Sequence, residues 1–391
     1  MVSTVDAEPD GGRDCKHAVM SEDSSSWFHV ANAAEIPSPA LLIFPDRIEE
    51  NIRRMIRTVG DPARLRPHMK THKMPELIAM QTAMNIEKFK CATIAEAEMT
   101  AAAGAREVLL AYQPVGPHIA RFAQLMQKFP AVRFACLVDD AGAAAQLSQA
   151  ALAAGVTFEV WLDVDCGQHR TGVPPGPCAV EVYRQICALK GLKAGGLHAY
   201  DGHLHDSNAA LREQQCEEGF ATVLKLREEL VAAGMPVPRI AAGGTPTFPF
   251  HAKRPGVECS PGTLVLWDAG YSTKLPDLDY LHAAVLLTRV VSKPQPGRLC
   301  LDLGHKAVAS EMPQPRVIFP ELPDALAVMH SEEHLVLETA EAARFKVGDV
   351  LHGIPWHVCP TVALHSEVFV VKDGKAETLW SVAARARRLT L

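Results

Sequence analysis

The sequence predicts an α/β protein in which a (β/α)8 barrel of the TIM type is followed by an antiparallel β domain. Eight short apolar runs alternate with longer segments of helical period between residues 65 and 260. Such alternation indicates a parallel sheet, and eight units over roughly 230 residues fit a closed barrel better than an open sheet. After Ser260 the helical segments give way to strand-like runs broken by proline, glycine and aspartate, which indicates an antiparallel domain.

The predicted barrel elements follow each other in strict order along the chain. The predicted strands are 65–69, 89–93, 107–112, 132–138, 158–164, 194–200, 239–244 and 256–260. The predicted helices between them are 75–85, 95–103, 117–128, 140–154, 177–189 and 207–234, whereas the link 245–255 has no clear pattern. A doubly wound sheet of six or seven strands is the alternative, but no GxGxxG motif follows a first strand to support it.

The flanking segments complete the predicted domain organisation. The polar residues 1–26 are expected to form a disordered tail, and the apolar run 39–44 is a strand within an N-terminal segment, 27–44. The barrel then occupies residues 45–274 and the β domain residues 275–391. Strand-like runs after Ser260 include 263–271 and 357–382, the second of which contains an Asp-Gly hairpin signal.

Composition excludes several classes of function. A net charge of −6 and a pI of about 6.3 leave no basic face for nucleic acid or an anionic membrane. Ten cysteines without a CxxC pair favour reduced thiols in a cytoplasmic protein over a disulfide framework. With no secretory signal and no apolar run of 18 residues, we expect a cytoplasmic protein without a membrane span.

The stretch "RPHMKTHKMPE" (66–76) places Lys70 among His68, His72 and Lys73, where the first strand ends. A desolvated lysine beside other cations loses proton affinity, and a neutral amine forms a Schiff base with an aldehyde. Pyridoxal 5'-phosphate is the commonest such cofactor. The alternative is a basic cluster on a surface loop.

The stretch "GGTPT" (243–247) follows the seventh predicted strand, a common position for a phosphate-binding loop in barrels. Gly243 and Gly244 allow backbone N–H groups to approach an anion, and Thr245 and Thr247 add hydroxyl donors. On its own this is most often a turn. Together with Lys70 it indicates an aldehyde that carries a phosphate.

Polar residues also follow the fifth and sixth predicted strands, at the same end of the barrel. Arg170 and Tyr200 are candidates to contact the pyridine ring, although either side chain could be structural. His203 or His205 is a candidate general base, because a histidine titrates near neutral pH. A solvated loop histidine is the alternative.

His357 and Cys359 lie in "PWHVCPT" and alternate on a presumed strand, so both side chains are expected on one face. An imidazole and a thiolate are two ligands for a divalent metal, and the thiolate favours zinc over magnesium. Two ligands leave positions open for water or substrate. The alternative is a buried cysteine beside an ordinary histidine.

Together these segments resemble the D-threonine aldolase/D-serine dehydratase family, fold-type III pyridoxal-phosphate enzymes with the alanine racemase-like fold, and resemble its D-threonine aldolase branch more closely. The resemblance begins at residue 38 and reaches the last strand-like runs. Its segments are 38–55, 66–73, 111–117, 162–173, 243–249, 260–271, 301–311, 331–338 and 355–362.

The resemblance implies roles for individual residues. Lys70 would hold pyridoxal phosphate, Gly244 and Thr245 would cradle its phosphate, and His203 would be the base of the aldolase branch. His357 and Cys359 would bind a divalent metal, Mn, Mg or Zn, in the β domain. Members of the family are usually homodimers, with each active site closed by the partner.

The activity that the resemblance implies is cleavage of a small D-3-hydroxy-amino acid of the D-threonine type to glycine and an aldehyde. A D-serine or 3-hydroxy-D-aspartate dehydratase, which gives a 2-keto acid and ammonia, would use the same ligands. A non-catalytic pyridoxal-phosphate carrier is the alternative of another class, but it needs neither a β domain nor a metal pair. A racemase would need a second base, for which Tyr271 is the candidate.

Overall fold

The computed structural model describes residues 27–391, so the predicted tail 1–26 lies outside the described residues. The strands are β1 (Ala40–Ile43), β2 (Lys88–Cys91), β3 (Glu107–Leu110), β4 (Arg133–Val138), β5 (Phe158–Val164), β6 (Leu192–Ala199), β7 (Ile240–Ala242), β8 (Val257–Cys259), β9 (Ala284–Ser292), β10 (Arg298–Leu301), β11 (Val317–Ile318), β12 (Leu326–His330), β13 (Leu335–Glu338), β14 (Val350–Pro355), β15 (Glu367–Lys372) and β16 (Lys375–Ser381). The helices are α1 (Pro45–Val59), α2 (Pro75–Thr82), α3 (Ile94–Ala102), α4 (Pro117–Lys128), α5 (Ala141–Ala154), α6 (Pro177–Ala188), α7 (Ala209–Ala232), α8 (Phe248–Ala252), α9 (Ala269–Lys274) and α10 (Val358–Leu364). Within residues 27–391 no helix combines the length and apolarity needed to cross a membrane.

Strands β2 to β8 form a parallel sheet in which each strand pairs with the next one along the chain. The segment 65–68 makes one parallel bridge to β8 and one to β2, which are the two edges of this sheet. The Arg66 N–H donates to the Cys259 carbonyl and the Lys90 N–H donates to the Pro67 carbonyl, both at 2.8 Å. The predicted α/β barrel class is therefore confirmed. The segment 65–68, first in the chain, closes the barrel between β8 and β2.

The first predicted strand, 65–69, is not a regular strand. Pro67 has no N–H to donate to a ladder, and the chain turns at once into a 3-10 helix, Met69–Thr71. Lys70 therefore lies on a tight turn beyond the barrel wall. The other seven strands and the six predicted helices appear within a few residues of their predicted bounds.

The interior of the barrel near the strand N-termini is filled by paired charges. Arg66 is buried and bonds to Glu258 at 2.7 Å and to Glu107 at 3.1 Å. Arg239 bonds to Glu107 at 2.6 Å and also to Glu159. These buried charges are all paired, as buried charges must be. Their side chains fill the N-terminal end of the barrel, so the open end is the C-terminal one.

The second sheet has the strand order β12-β13-β10-β9-β1-β15-β16, and β14 pairs with both β9 and β11. Strand β1 runs antiparallel to β9 and parallel to β15, so the N-terminal strand lies inside the C-terminal sheet. Phe28, Val30 and Ile36, in the segment before β1, pack on one face of this sheet against Leu42 and Leu287.

The predicted strand-like run 263–271 and the start of the run 357–382 are helical instead, whereas the rest of the second run forms the predicted hairpin, β15–β16. Residues 263–271 form a 3-10 turn and the start of α9, and residues 358–364 form α10. The Asp268 carboxylate accepts the Tyr271 N–H at 2.9 Å and the Val358 N–H at 3.0 Å. One buried side chain thus caps two helix N-termini, which outweighs the β-branched composition of both runs.

Candidate active site

A cleft of about 1100 Å³ opens where the barrel strands end and the β domain approaches them. Parallel barrels place their functional residues at this end. Seven of the nine predicted site residues line the cleft: Lys70, Arg170, Tyr200, Gly244, Thr245, His357 and Cys359. Gly243 and His203 are not among the lining residues.

The Tyr200 ring lies among three basic side chains. The Lys70 Nζ is 5.7 Å from the ring centroid, the Lys90 Nζ is 5.3 Å from it, and the Arg170 guanidinium is also 5.3 Å away. His68 caps the turn that carries Lys70, because its Nδ1 accepts the Lys70 N–H at 3.2 Å. The cleft therefore offers a positive surface for an anionic molecule.

The basic cluster around Lys70 contains fewer charges than its sequence suggests. Burial, and then the charges of neighbouring lysines, hold the pKa of His68 well below its usual value. Burial lowers the pKa of His72 to about 3, so both imidazoles are neutral at physiological pH. Lys73 forms an ion pair with the buried Glu96. Lys70 is thus the one lysine of this stretch that lines the cleft without a carboxylate partner among the described residues.

The sequence reasoning missed Lys90. Its Nζ lies 3.4 Å from Nε2 of His198, whose Nδ1 lies 2.7 Å from Oδ1 of Asp163. Burial, and then the charge of Lys70, lower the pKa of Lys90 to about 7. The available signal was that Lys90 is the second lysine in a short strand. It follows Lys88 by two residues, so both side chains point to the same face of the sheet.

Two loops form a polar recess at one end of the cleft. Oγ1 of Thr245 accepts the N–H groups of Gly262 and Thr263 at 3.2 and 3.1 Å, which joins the loops after β7 and β8. A Cβ on Gly244 would lie 3.0 Å from the Tyr200 ring, so glycine keeps the backbone close to the cleft. Ser260 lines the recess, and its buried Oγ has no partner among the described residues.

A buried network supports the loop after β7 from behind. The Gly244 N–H donates to Oγ1 of Thr247 at 3.2 Å, and that hydroxyl donates to Asp201 at 2.7 Å. Nε2 of His251 contacts the other oxygen of Asp201, also at 2.7 Å. Gly243 lies at the turn, with φ of +79°, where a Cβ would be 2.5 Å from His251. Gly243 therefore shapes the loop and does not line the cleft.

The predicted metal pair lies on a helix start and not on a strand, which corrects the prediction that alternation on a strand aligns the two side chains. His357 is the N-cap of α10 and Cys359 lies in its first turn. Nδ1 of His357 contacts Glu311 at 2.5 Å, and Sγ of Cys359 lies 3.2 Å from Oγ1 of Thr71. Helix capping, not strand pleating, brings these groups to the cleft.

The two side chains shift each other's pKa, and both must release a proton before they can ligate a metal. Burial alone would raise the pKa of Cys359, but the hydrogen bond and charge of His357 lower it. Burial alone would lower the pKa of His357, but Cys359 and Glu311 raise it to about 9. Because Glu311 occupies Nδ1, Nε2 of His357 is the nitrogen left for a metal, as in carboxylate–histidine–metal arrangements.

His203 lies behind the loop that follows β5. A Cβ on Gly167 would be 3.1 Å from Nε2 of His203, and the buried Nδ1 has no partner among the described residues. Tyr271 does line the cleft, stacked on Trp267 with ring centroids 5.6 Å apart. Burial raises the pKa of Tyr271 far above its usual value, so its hydroxyl stays protonated.

The barrel and the β domain each match a family model. Residues 43–267 match the alanine racemase N-terminal domain and residues 283–371 match a putative serine dehydratase domain. The chain therefore belongs to the alanine racemase-like family, with a dehydratase-type β domain. Among solved structures it is similar to D-threonine aldolase from Filomicrobium marinum, with a TM-score of 0.84 and 27% identity over 90% of this chain and 96% of that chain.

Three relatives with assigned activities are aldolases or dehydratases, which are lyases. The chain is 32% identical to D-threonine aldolase from Arthrobacter sp., over 90% of this chain and 93% of the relative. It is 30% identical to 3-hydroxy-D-aspartate aldolase from Paracoccus denitrificans (strain Pd 1222), over the same shares. It is 28% identical to D-threo-3-hydroxyaspartate dehydratase from Delftia sp. (strain HT23), over 88% of this chain and 96% of the relative. The comparisons thus support a lyase.

Proposed function

We propose that the protein is a pyridoxal-phosphate- and divalent-metal-dependent aldolase that cleaves D-3-hydroxy-amino acids of the D-threonine type to glycine and an aldehyde. One observation carries the proposal: a lysine, a glycine- and threonine-lined recess and a histidine–cysteine pair line the same cleft. A metal-assisted aldol cleavage on pyridoxal phosphate needs three groups in one cleft: an amine for the aldehyde, a site for the phosphate and ligands for the metal.

The residues present fit the cofactor. Lys70 offers the amine for the aldehyde, Arg170 and Tyr200 flank the space for the ring, and Gly244 and Thr245 belong to the recess for the phosphate. The unpartnered hydroxyl of Ser260 supports this fit, because a buried polar atom without a partner is costly until an anion binds to it. Bound pyridoxal phosphate supplies the electron sink for a carbanion at Cα.

The residues present also fit a divalent metal. His357 would ligate through Nε2 and Cys359 through its thiolate, and zinc suits this pair best, with manganese and magnesium as alternatives. The metal supplies a Lewis acid that lowers the pKa of a 3-hydroxyl. His203 remains our proposed base on the family resemblance alone, since it does not line the cleft and would reach a 3-hydroxyl only after the loop that follows β5 moves.

A 3-hydroxy-D-amino acid dehydratase is the second candidate, and the histidine–cysteine pair favours it. Solved structures of D-threo-3-hydroxyaspartate dehydratase include a mutant of a histidine and a mutant of a cysteine two positions later, the latter in a metal-free form. His357 and Cys359 have this spacing. In that reaction Lys70 would take the Cα proton, and the products would be a 2-keto acid and ammonia.

Product analysis distinguishes these functions. Purified protein, loaded with pyridoxal phosphate and a divalent metal, is incubated with D-threonine. We expect glycine and acetaldehyde in equal amounts, with Lys70→Ala as the inactive control. 2-Oxobutyrate and ammonia would instead establish the dehydratase. Turnover of none of D-threonine, 3-hydroxy-D-aspartate and D-serine, with cofactor bound, would favour the non-catalytic carrier. Light scattering tests the homodimer that we propose for the same preparation.

A further inference from the structure

We propose a second metal site, for Zn²⁺, formed by His29, Glu321 and His352 in the β domain. One ligand atom from each of these side chains lies within 4.8 Å of the other two. The three residues come from distant parts of the sequence: the segment before β1, the turn after β11, and β14. None of them lines the active-site cleft, so the site is distinct from the His357–Cys359 pair.

The side chain of His352 points to the face of the β-domain sheet that the N-terminal segment covers. Leu351 packs into the main core, whereas Val350 packs with the residues of the N-terminal segment on the other face of the sheet. Because side chains alternate along a strand, His352 shares the face of Val350. The Phe28 ring lies 5.4 Å from the His352 ring, and the His29 ring is also 5.4 Å away. The site therefore lies beneath the segment before β1.

The donor atoms are already oriented. Glu321 accepts the backbone N–H of His352 at 3.2 Å, and Nδ1 of His352 lies 2.8 Å from the same carboxylate oxygen. His352 is only 4% exposed, so packing fixes the position of its imidazole. A metal ion that replaced the proton between Nδ1 of His352 and the Glu321 oxygen, which are 2.8 Å apart, would bind both atoms. Nε2 of His352, on the other edge of the ring, would not be a ligand.

The charges at the site also admit a cation. Among residues 27–391, Glu321 has His352 as its salt-bridge partner and no lysine or arginine. The buried cluster of Asp201, Cys216 and His251 has similar spacing but differs here, because the Arg254 guanidinium lies 2.8 Å from Nδ1 of His251. That cluster already holds a cation, whereas the His29 cluster does not.

Two imidazoles and one carboxylate are a common donor set for zinc, with a fourth position left for water. The metal would fasten the segment before β1 to β14. That segment is otherwise tied down by contacts such as the Ala31 N–H to the Gly374 carbonyl, at 2.8 Å. An open position is typical of catalytic zinc, but this site lies outside the active-site cleft and joins two segments of the chain, so we infer a stabilising role.

The test counts zinc in the cofactor-loaded protein. His29 is exposed, so His29→Ala should fold, and His334→Ala, another exposed histidine of the β domain, is the matched control. Each protein is equilibrated with Zn²⁺, passed through a desalting column and analysed for zinc and protein. We expect wild type and His334→Ala to retain one more zinc per chain than His29→Ala and Glu321→Gln.

Thermal unfolding provides the second readout. Added Zn²⁺ should raise the Tm of wild type and His334→Ala by several degrees more than that of His29→Ala, since a ligand stabilises only the state that binds it. Equal zinc content and an equal Tm response in wild type and His29→Ala would overturn the proposal. Equal losses in His334→Ala would indicate adventitious binding and would overturn it as well. His357 and Cys359 remain intact in all four proteins, so the outcome is independent of the active-site metal.

Discussion

Nζ of Lys90 lies 3.4 Å from Nε2 of His198 inside the candidate active site. Lys90 is 2% exposed and forms no ion pair with a carboxylate among residues 27–391, whereas Lys88, two residues earlier on β2, is paired with Glu258 at 2.6 Å. Burial and the neighbouring charges of Lys70 and Arg66 lower the pKa of Lys90, and the charges of Asp163 and Asp201 raise it. The site thus contains a buried amine that titrates near neutral pH.

Replacing Lys90 by methionine should stabilise the cofactor-free protein near pH 7. The pKa of this lysine is about 7 in the folded protein, against 10.5 for an ordinary exposed lysine, so the unfolded chain binds the extra proton between these pH values. Stability contributed by this site therefore rises with pH across that interval. We expect a gain of about 1–4 kcal/mol at pH 7 that has disappeared by pH 10.5.

Chemical denaturation of both proteins across this pH range measures the gain. Lys88→Met is the matched control, because it breaks an ion pair and should lose stability instead. A Lys90→Met variant that is less stable than wild type at pH 7 would show that the amine has a stabilising anionic partner.

Lys70→Ala should lose both the visible absorption of bound pyridoxal phosphate and all turnover, because its amine is the proposed attachment point. Lys73→Ala is the control, since Lys73 also lines the cleft but pairs with Glu96. Absorption spectra after removal of free cofactor make the comparison. A visible band that persists in Lys70→Ala and vanishes in Lys73→Ala would show that the attachment has been assigned to the wrong lysine.

Glu311→Gln should weaken metal affinity by about 10–100-fold, which is typical when the hydrogen-bond partner of a ligating histidine is removed. Glu311 contacts Nδ1 of His357 and is itself no predicted ligand. We expect the activity of the variant to recover at high metal concentration, whereas that of Cys359→Ala does not. Activity measured against buffered free metal tests this, and an unchanged midpoint for Glu311→Gln would contradict the arrangement.

Thr247→Val should weaken cofactor binding without touching the cofactor. The substitution keeps the side-chain shape but removes the hydroxyl between the Gly244 N–H and Asp201. Two buried polar groups lose a partner, so we expect about 1–3 kcal/mol less stability and a higher dissociation constant for pyridoxal phosphate. Thr222→Val, on the exposed side of α7, is the control. An unchanged dissociation constant for pyridoxal phosphate would show that the Gly244–Thr247–Asp201 network stabilises the fold but does not position the phosphate loop.

The sequence predicted the barrel because its signals are local. Alternating apolar runs and helical periods depend on neighbours within a few residues, so α3, α4 and α5 begin within one residue of their predicted starts. The exceptions are runs whose conformation depends on contacts with residues distant in the sequence. Residues 358–364 are rich in apolar and β-branched types, yet the carboxylate of Asp268, 90 positions earlier, caps them into a helix.

The sequence alone determined which residues could perform the chemistry: an isolated lysine motif, a Gly-Gly-Thr loop and a histidine–cysteine pair. Only the tertiary structure decided which of them meet. It brings Lys70, Thr245 and Cys359 to one cleft, keeps His203 behind a loop, and adds Lys90. The physical reason is range: motifs record local chemistry, whereas burial, pKa and ion pairing depend on groups that the chain brings together from distant positions.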